Sequence, residues 1–193
     1  MNSDMRETGR LTLPGGRFVH IRALRRGEDG VVRKLFARLG PRTRYLRFHT
    51  PTTILVESLL RTLTDVDDFR RFALVAELDQ PNSGDAVGLA NVAVRDDARA
   101  EVGLVVADVW QRRGIGAALA LRLLRAAEAR GHERFVTHEL WDNPALRPLL
   151  GRVGDVVSID ICSGVSEITF VRRRSAEERA YERILAAKGG LLV

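Results

Sequence analysis

The sequence predicts a mixed α/β domain, with helices flanking a single sheet of mixed strand direction. Three observations carry this. The apolar runs follow the order strand, helix pair, three strands, helix, strand, short helix, hairpin. Turn residues separate them at Pro14-Gly15-Gly16, Gly40-Pro41, 79–85 and Ser163-Gly164. The stretch 100–127, AEVGLVVADVWQRRGIGAALALRLLRAA, joins a β-rich run through a basic glycine turn to an Ala/Leu-rich helix.

The elements follow in chain order. Residues 1–9 are polar and read as a flexible lead. Leu11 to Leu13 and Arg17 to Leu24 read as strands, with Val19 and Ile21 sharing the core face. Val31, Leu35 and Leu39 recur at helical spacing, and Gly40-Pro41 ends that helix. From Arg42 to Phe48 the chain is basic and aromatic. Tyr45, Leu46 and Phe48 would pack on one side with Arg42, Arg44 and Arg47 facing out, either as a solvated short helix or as one wall of an acceptor groove. Pro51 to Leu63 reads as a further helix. Phe72 to Leu78, Ala86 to Val94 and Glu101 to Val106 form an antiparallel meander. The helix from Gly114 to Arg130 buries Ile115, Leu119, Leu123 and Ala126, exposes Arg122, Arg125 and Glu128, and is capped by Gly131. Phe135 to Leu140 is a strand, Asn143 to Leu150 a short helix, and Val156 to Ile161 with Glu167 to Val171 a hairpin. Ser175 to Lys188 reads as a charged helix docked by Tyr181, Ile184 and Leu185. The division is thus a lead, one domain over 10–173, and a C-terminal helix and tail over 174–193.

Composition bounds the function. Among 193 residues, 45% are hydrophobic and 29% charged, ordinary values for a soluble domain. The net charge of +6 comes almost wholly from arginine; lysine occurs only at Lys34 and Lys188. The arginines are spread along the chain rather than gathered in a stripe, which argues against a nucleic-acid interface. A lone cysteine, Cys162, excludes an intrachain disulfide and fits a reducing cytoplasm. No apolar run is long enough to span a membrane, and no signal-peptide core is present. His20, His49 and His132 have no partners at metal-ligand spacing, so no metal site is read.

The turn from Gln111 through Arg112, Arg113, Gly114, Ile115 and Gly116 to Ala117 opens a helix. The first N–H groups of a helix lack intrahelical acceptors, and the helix dipole adds positive character there. Gly114 and Gly116 would let a phosphate approach the backbone. The turn is not a P-loop, because no Gly-Lys-Ser/Thr closes it. It is a poor dinucleotide fingerprint, because Leu119 fills the sixth position. The spacing Gln/Arg-x-x-Gly-x-Gly a short way after a strand resembles the pyrophosphate loop of the GNAT superfamily of acyl-CoA-dependent N-acetyltransferases. The order of elements from about Arg17 to Arg172 is similar to the order in that superfamily. The runs EVGLVVADVWQRRGIG and IRALRRGEDGVVRKLFARLGPRTRYLRFHTP resemble the GNAT domain of bacterial protein lysine acetyltransferases.

The resemblance implies a GNAT fold: a mixed central sheet of about six to seven strands with one splayed pair. It implies acetyl-CoA as cosubstrate and Glu101 as general base. A lysine-like amine has a pKa of ~10.4 and must lose a proton before it attacks. It implies that Leu104, Val105 and Val106 offer backbone groups to the pantetheine arm. By the same resemblance, Gln111, Arg112, Arg113, Gly114, Ile115, Gly116 and Ala117 hold the pyrophosphate, and Asn143 meets the cofactor arm. Asn143 also reads simply as a helix N-cap before Pro144. Where many family members carry a tyrosine general acid, this chain has Leu150, which leaves the general acid unassigned, with water as a stand-in. His138 is a second candidate base. The acceptor implied is a protein lysine side chain, met by a monomer or homodimer. The regulatory or synthetase-like domain that such enzymes often carry has no room in this length. Two other readings stay open: N-acetylation of a small amine, and an acyl-CoA-binding sensor without catalysis.

Overall fold

A computed structural model describes residues 9–79, 85–140, 143–176 and 178. In chain order these form β1 (Gly9–Thr12), β2 (Phe18–Ala23), α1 (Asp29–Ala37), α2 (Pro41–Phe48), α3 (Glu57–Thr64), β3 (Arg71–Leu78), β4 (Ala86–Val94), β5 (Ala100–Val106), α4 (Ile115–Glu128), β6 (Phe135–Leu140), α5 (Leu146–Val153), β7 (Gly154–Cys162) and β8 (Val165–Arg172). The strands make one sheet in the order β1-β2-β3-β4-β5-β6-β8-β7. Eight strands exceed the six to seven expected. All neighbours pair antiparallel except β5 and β6.

Alternation along the strands sorts the two faces. Val19 and Ile21 are buried, as the pattern requires. On one face α4 buries Ile115, Leu119, Leu123 and Leu124 against β3, β4 and β5. Each such side chain contributes roughly 2 kcal/mol of burial. A Cβ on Gly88 would lie 2.9 Å from Leu119 Cδ1, so β4 admits α4 only because that position is bare. The helix ends as expected: Gly131 is left-handed (φ 85°), and its N–H donates to Glu128 O at 2.8 Å. The opposite face carries α1 and α2.

Several boundaries differ from the sequence reading, each for a local reason. The helix expected from Pro51 begins only at Glu57. Before it, the Thr50 hydroxyl donates to Phe48 O and that of Thr52 to Ile54 O, holding the backbone in turns. α5 runs from Leu146 to Val153 rather than 143–150. Asn143 is therefore not its cap; its Oδ1 accepts from Ala145 N at 3.1 Å, forming a turn ahead of the helix. Glu128 is not a solvated face residue, because it accepts from Arg172 Nε at 2.6 Å. The Ser163-Gly164 turn holds, with both residues left-handed.

Ser175 and Glu178 exchange hydrogen bonds in a capping box, Ser175 N to Glu178 Oε2 (2.7 Å) and Glu178 N to Ser175 Oγ (3.1 Å). That marks a helix start where the sequence put one. Its docking residues Tyr181, Ile184 and Leu185, like the flexible lead over 1–8, lie outside the described residues. No helix among the described residues is long and apolar enough to cross a membrane.

Candidate active site

The site begins where the sheet opens. β5 pairs with β6 only at Ala100–Phe135 and Glu101–Val136. Past Glu101 the two strands part, while β4 stays paired with β5 as far as Val106. Ala100 N donates to Arg134 O on the β6 side, and Ala107 N to Val87 O on the β4 side, both at 2.9 Å. Strand alternation then turns the backbone groups of Val102, Leu104 and Val106 into the opening and those of Gly103 and Val105 toward β4. Of the three residues expected to meet a pantetheine arm, Leu104 and Val106 face the gap. Val105 does not: its backbone is committed to the sheet.

The glycine turn lies at the far end of the gap. After a 3-10 turn, Asp108–Trp110, the chain adopts left-handed backbone at Arg112 (φ 58°) and Gly114 (φ 88°), then enters α4. Gly114 is required by that conformation, and open space surrounds its missing Cβ. At Gly116 a Cβ would make only ordinary contact with Leu104 and Val106, 3.6–3.7 Å away, so packing of α4 on β5 does not require glycine at this position. Arg112 and Arg113 are exposed, and Arg113 lies over the Trp110 ring at 5.2 Å. Ile115, Gly116 and Ala117 form the first turn of α4, whose N–H groups have no intrahelical acceptor. The Gln111 side chain turns inward, donating to Val106 O (3.0 Å) and Thr43 Oγ1 (3.2 Å). Asp108 ties the same loop to the start of α2, accepting from Gly40 N at 2.7 Å and Thr43 Oγ1 at 2.8 Å. Unpaired backbone groups in the gap and an electropositive helix start beyond it suit an acyl-CoA: Leu104 and Val106 for the arm, 112–117 for the pyrophosphate.

A cavity of about 450 Å³ passes through the opened sheet and joins its two faces. Leu104, Leu124, Leu149 and Leu150 line it on the α4 side, with Asn143 nearby. Arg47, His49, Glu101 and His138 line it on the α2 side. Glu101 is half-exposed on β5, on the same face as Gly103 and, across β4, Asn91 and Ala93. His138 Nδ1 lies 3.5 Å from Glu101 Oε1, and His138 Nε2 lies 3.4 Å from Glu167 Oε2. Hydrogen bonds from Arg95 and then Arg99, both 2.8 Å, hold Glu167 below the usual carboxylate range against the opposing effect of burial. Burial, with His138 and Arg47 adding to it, keeps His49 below the usual histidine value against the pull of Glu101.

α2 is rolled relative to the sequence reading. Tyr45 is exposed, whereas Arg44 stacks 4.5 Å over Phe36 and Arg47 lies against the sheet. Arg47 Nη2 donates to Asn91 Oδ1 at 2.7 Å. The guanidinium occupies the space a Cβ on Gly103 would fill. Burial pushes Arg47 down to about 10, opposed by the charge of Glu101. The sequence named Arg47 only within the basic-aromatic run and His49 only as a histidine without metal-ligand partners, and it did not single out Asn91 or Glu167. Asn91 pairs with Gly103 and Glu167 with His138 across strands, which linear spacing does not record. Leu150, where a tyrosine acid would stand, is 4% exposed and apolar.

Residues 42–154 match the Acetyltransferase (GNAT) family. The chain is 30% identical over 146 residues to the acetyltransferase PA5475 of Pseudomonas aeruginosa, covering 75% of this chain and 78% of that one. Its fold is similar to the GNAT domain of S. lividans PAT, with a TM-score of 0.74, 20% identity, and coverage of 85% of this chain and 96% of that one. It is also similar to spermidine N-acetyltransferase from Vibrio cholerae, solved with CoA and spermine, with a TM-score of 0.57, 19% identity, and coverage of 80% and 95%. The opened sheet, the glycine turn and these matches lead to one conclusion: the chain belongs to the Acetyltransferase (GNAT) family, N-acetyltransferases that use acetyl-CoA as cosubstrate.

Proposed function

We propose that this acetyltransferase moves the acetyl group directly to a primary amine, with Glu101 as general base and a protein lysine side chain as acceptor. The observation that carries the reading is Glu101 at the last β5–β6 pair, facing the cavity at the lip of the gap that suits the acyl-CoA. A carboxylate there can take the proton of an incoming ammonium, directly or through one water. The freed nitrogen then bonds to the acetyl carbon as the carbon–sulfur bond breaks. The bound cosubstrate supplies the activated acetyl thioester. The Leu104 N–H, turned into the gap, is the donor available to the acetyl oxygen as negative charge develops on it. Leu150 offers no proton, so the thiolate takes one from water, which recovers the second proton that the nitrogen sheds as the amide forms. Asn143 and the apolar wall of α5 border the arm.

The choice of a protein lysine rests on the resemblance of residues 101–116 to the bacterial lysine acetyltransferases, and a cytoplasmic site on the lone cysteine. The test is thiol release from acetyl-CoA with lysine-bearing proteins and small amines, for the parent and Glu101→Gln. The expected result is release with a protein acceptor, reduced at least about tenfold in the variant, while acetyl-CoA still raises the melting temperature of both. Release with small amines alone would replace the protein acceptor. Equal rates in the two proteins would remove Glu101 as base.

A further inference from the structure

Arg22, Arg172 and Arg47 are drawn in from solvent, and they are not treated alike. Arg22 meets Glu28 (2.7 Å) and Glu77 (2.8 Å). Arg172 meets Glu128 (2.6 Å) and Glu178 (3.2 Å). Arg47 has a single side-chain acceptor, the neutral amide oxygen of Asn91. No carboxylate among the described residues stands within ion-pair distance of it. A guanidinium carries five N–H donors in a planar fork that matches a carboxylate. Arg47 therefore brings a desolvated cation and unused donors to a cavity wall.

Its setting gives those donors a direction. Arg47 lies over Gly103, two residues along β5 from Glu101 and on the same face. That spacing is roughly 7 Å along the strand. The cavity wall is thus polarised, with a carboxylate at one end and a cation at the other. His49 beside it stays neutral at neutral pH and adds no competing charge. Glu167, the other acidic group nearby, is already engaged by Arg95 and Arg99.

We propose that Arg47 is a carboxylate-binding residue in the acceptor site, so that the amine presented to Glu101 belongs to a molecule carrying a carboxylate a few ångströms from its nitrogen. This rests on the acetyltransferase reading above and narrows its substrate class. The carboxylate has two possible sources: the α-carboxylate of a small amino acid, or an acidic side chain next to the target lysine of a peptide. The amine end turns to Glu101 and the carboxylate pairs with the guanidinium, which keeps its bond to Asn91.

The test uses two matched pairs. Free lysine is compared with cadaverine, which lacks only the carboxylate. A peptide with glutamate beside its lysine is compared with the same peptide bearing glutamine. Thiol release is measured for the parent, Arg47→Gln and Arg47→Lys, and binding of all four compounds to the CoA-loaded proteins is followed by calorimetry. In the parent, the carboxylated member of at least one pair is expected to exceed its partner at least about tenfold in kcat/KM or in affinity. That ratio is expected to fall to about one in Arg47→Gln and to recover in part in Arg47→Lys. A ratio confined to the first pair identifies a small amino acid; one confined to the second identifies an acidic peptide. Ratios near one in the parent, a ratio unchanged in Arg47→Gln, or no binding of either carboxylated compound would overturn the proposal. The acetyl-CoA melting shift, recorded for each variant, separates these results from a misfolded protein or from failure of the acetyltransferase reading itself.

Discussion

Glu101 has a histidine at its side, and that histidine has a second carboxylate at its back. The two ring nitrogens of His138 face the two carboxylates, Nδ1 at 3.5 Å from Glu101 and Nε2 at 3.4 Å from Glu167. Arg95 and Arg99 keep Glu167 ionised, which anchors the ring from behind. His138 is thus a positioning residue for the base. Replacing it with alanine should lower kcat/KM for the amine by about tenfold, less than loss of a base itself costs. The KM for acetyl-CoA should stay constant, and steady-state kinetics with each substrate varied in turn checks both. Glu101 was legible in the sequence because it sits on a run with its own motif. His138 was legible only as a lone candidate, and Arg47 was read as facing out, either to solvent or along one wall of an acceptor groove. The basic-aromatic pattern of 42–48 does not by itself say which arginine turns inward; the bare Gly103 opposite makes room for the Arg47 guanidinium.

Elements were legible where periodicity was long. α4, β3 and β4 fell close to their expected limits because each buries a continuous apolar stripe. α3 and α5 slipped by several residues because short polar turns, not apolar periodicity, set their starts. The junction after β8 shows how a capping box fixes a helix start. Glu178 accepts from Ser175 N and from Arg172, and these bonds bring its carboxyl down to about 2, with burial opposing. A depressed carboxyl adds stability that is fully present above its unfolded value. That stability is lost as pH falls from about 4.5 toward about 2. Urea unfolding of the parent and Glu178→Gln should therefore differ at pH 7, draw together below about pH 4.5 and converge as the pH approaches 2. The difference at neutral pH should be of the order of 1 kcal/mol, because the carboxylate is partly screened by solvent.

At the scale of the whole molecule, the sheet was legible and its strand count nearly so. β1, read from the sequence as Leu11 to Leu13, spans Gly9–Thr12 and pairs with β2, so the eighth strand was missing from the count the resemblance implied and not from the apolar pattern. The opening between β5 and β6 came from family resemblance, since nothing in the apolar pattern of either strand says where they part. That opening has a consequence for cooperativity. Among the described residues, two residue pairs stitch β6, β8 and β7 to the first five strands through strand pairing. α4, α5 and the Arg95 and Arg99 bonds to Glu167 add to that bridge. Residues 134–172 thus form a unit whose amide protons can exchange through a partial opening that leaves β1 to β5 folded. A ligand lying in the gap would bind both halves and supply the missing rungs. Hydrogen exchange should show protection in β6 and β8 rising with acetyl-CoA far more than in β2 and β3. The ligand would then complete the fold as well as take part in the chemistry, and substrate supply would set how firmly the two halves of the enzyme are joined.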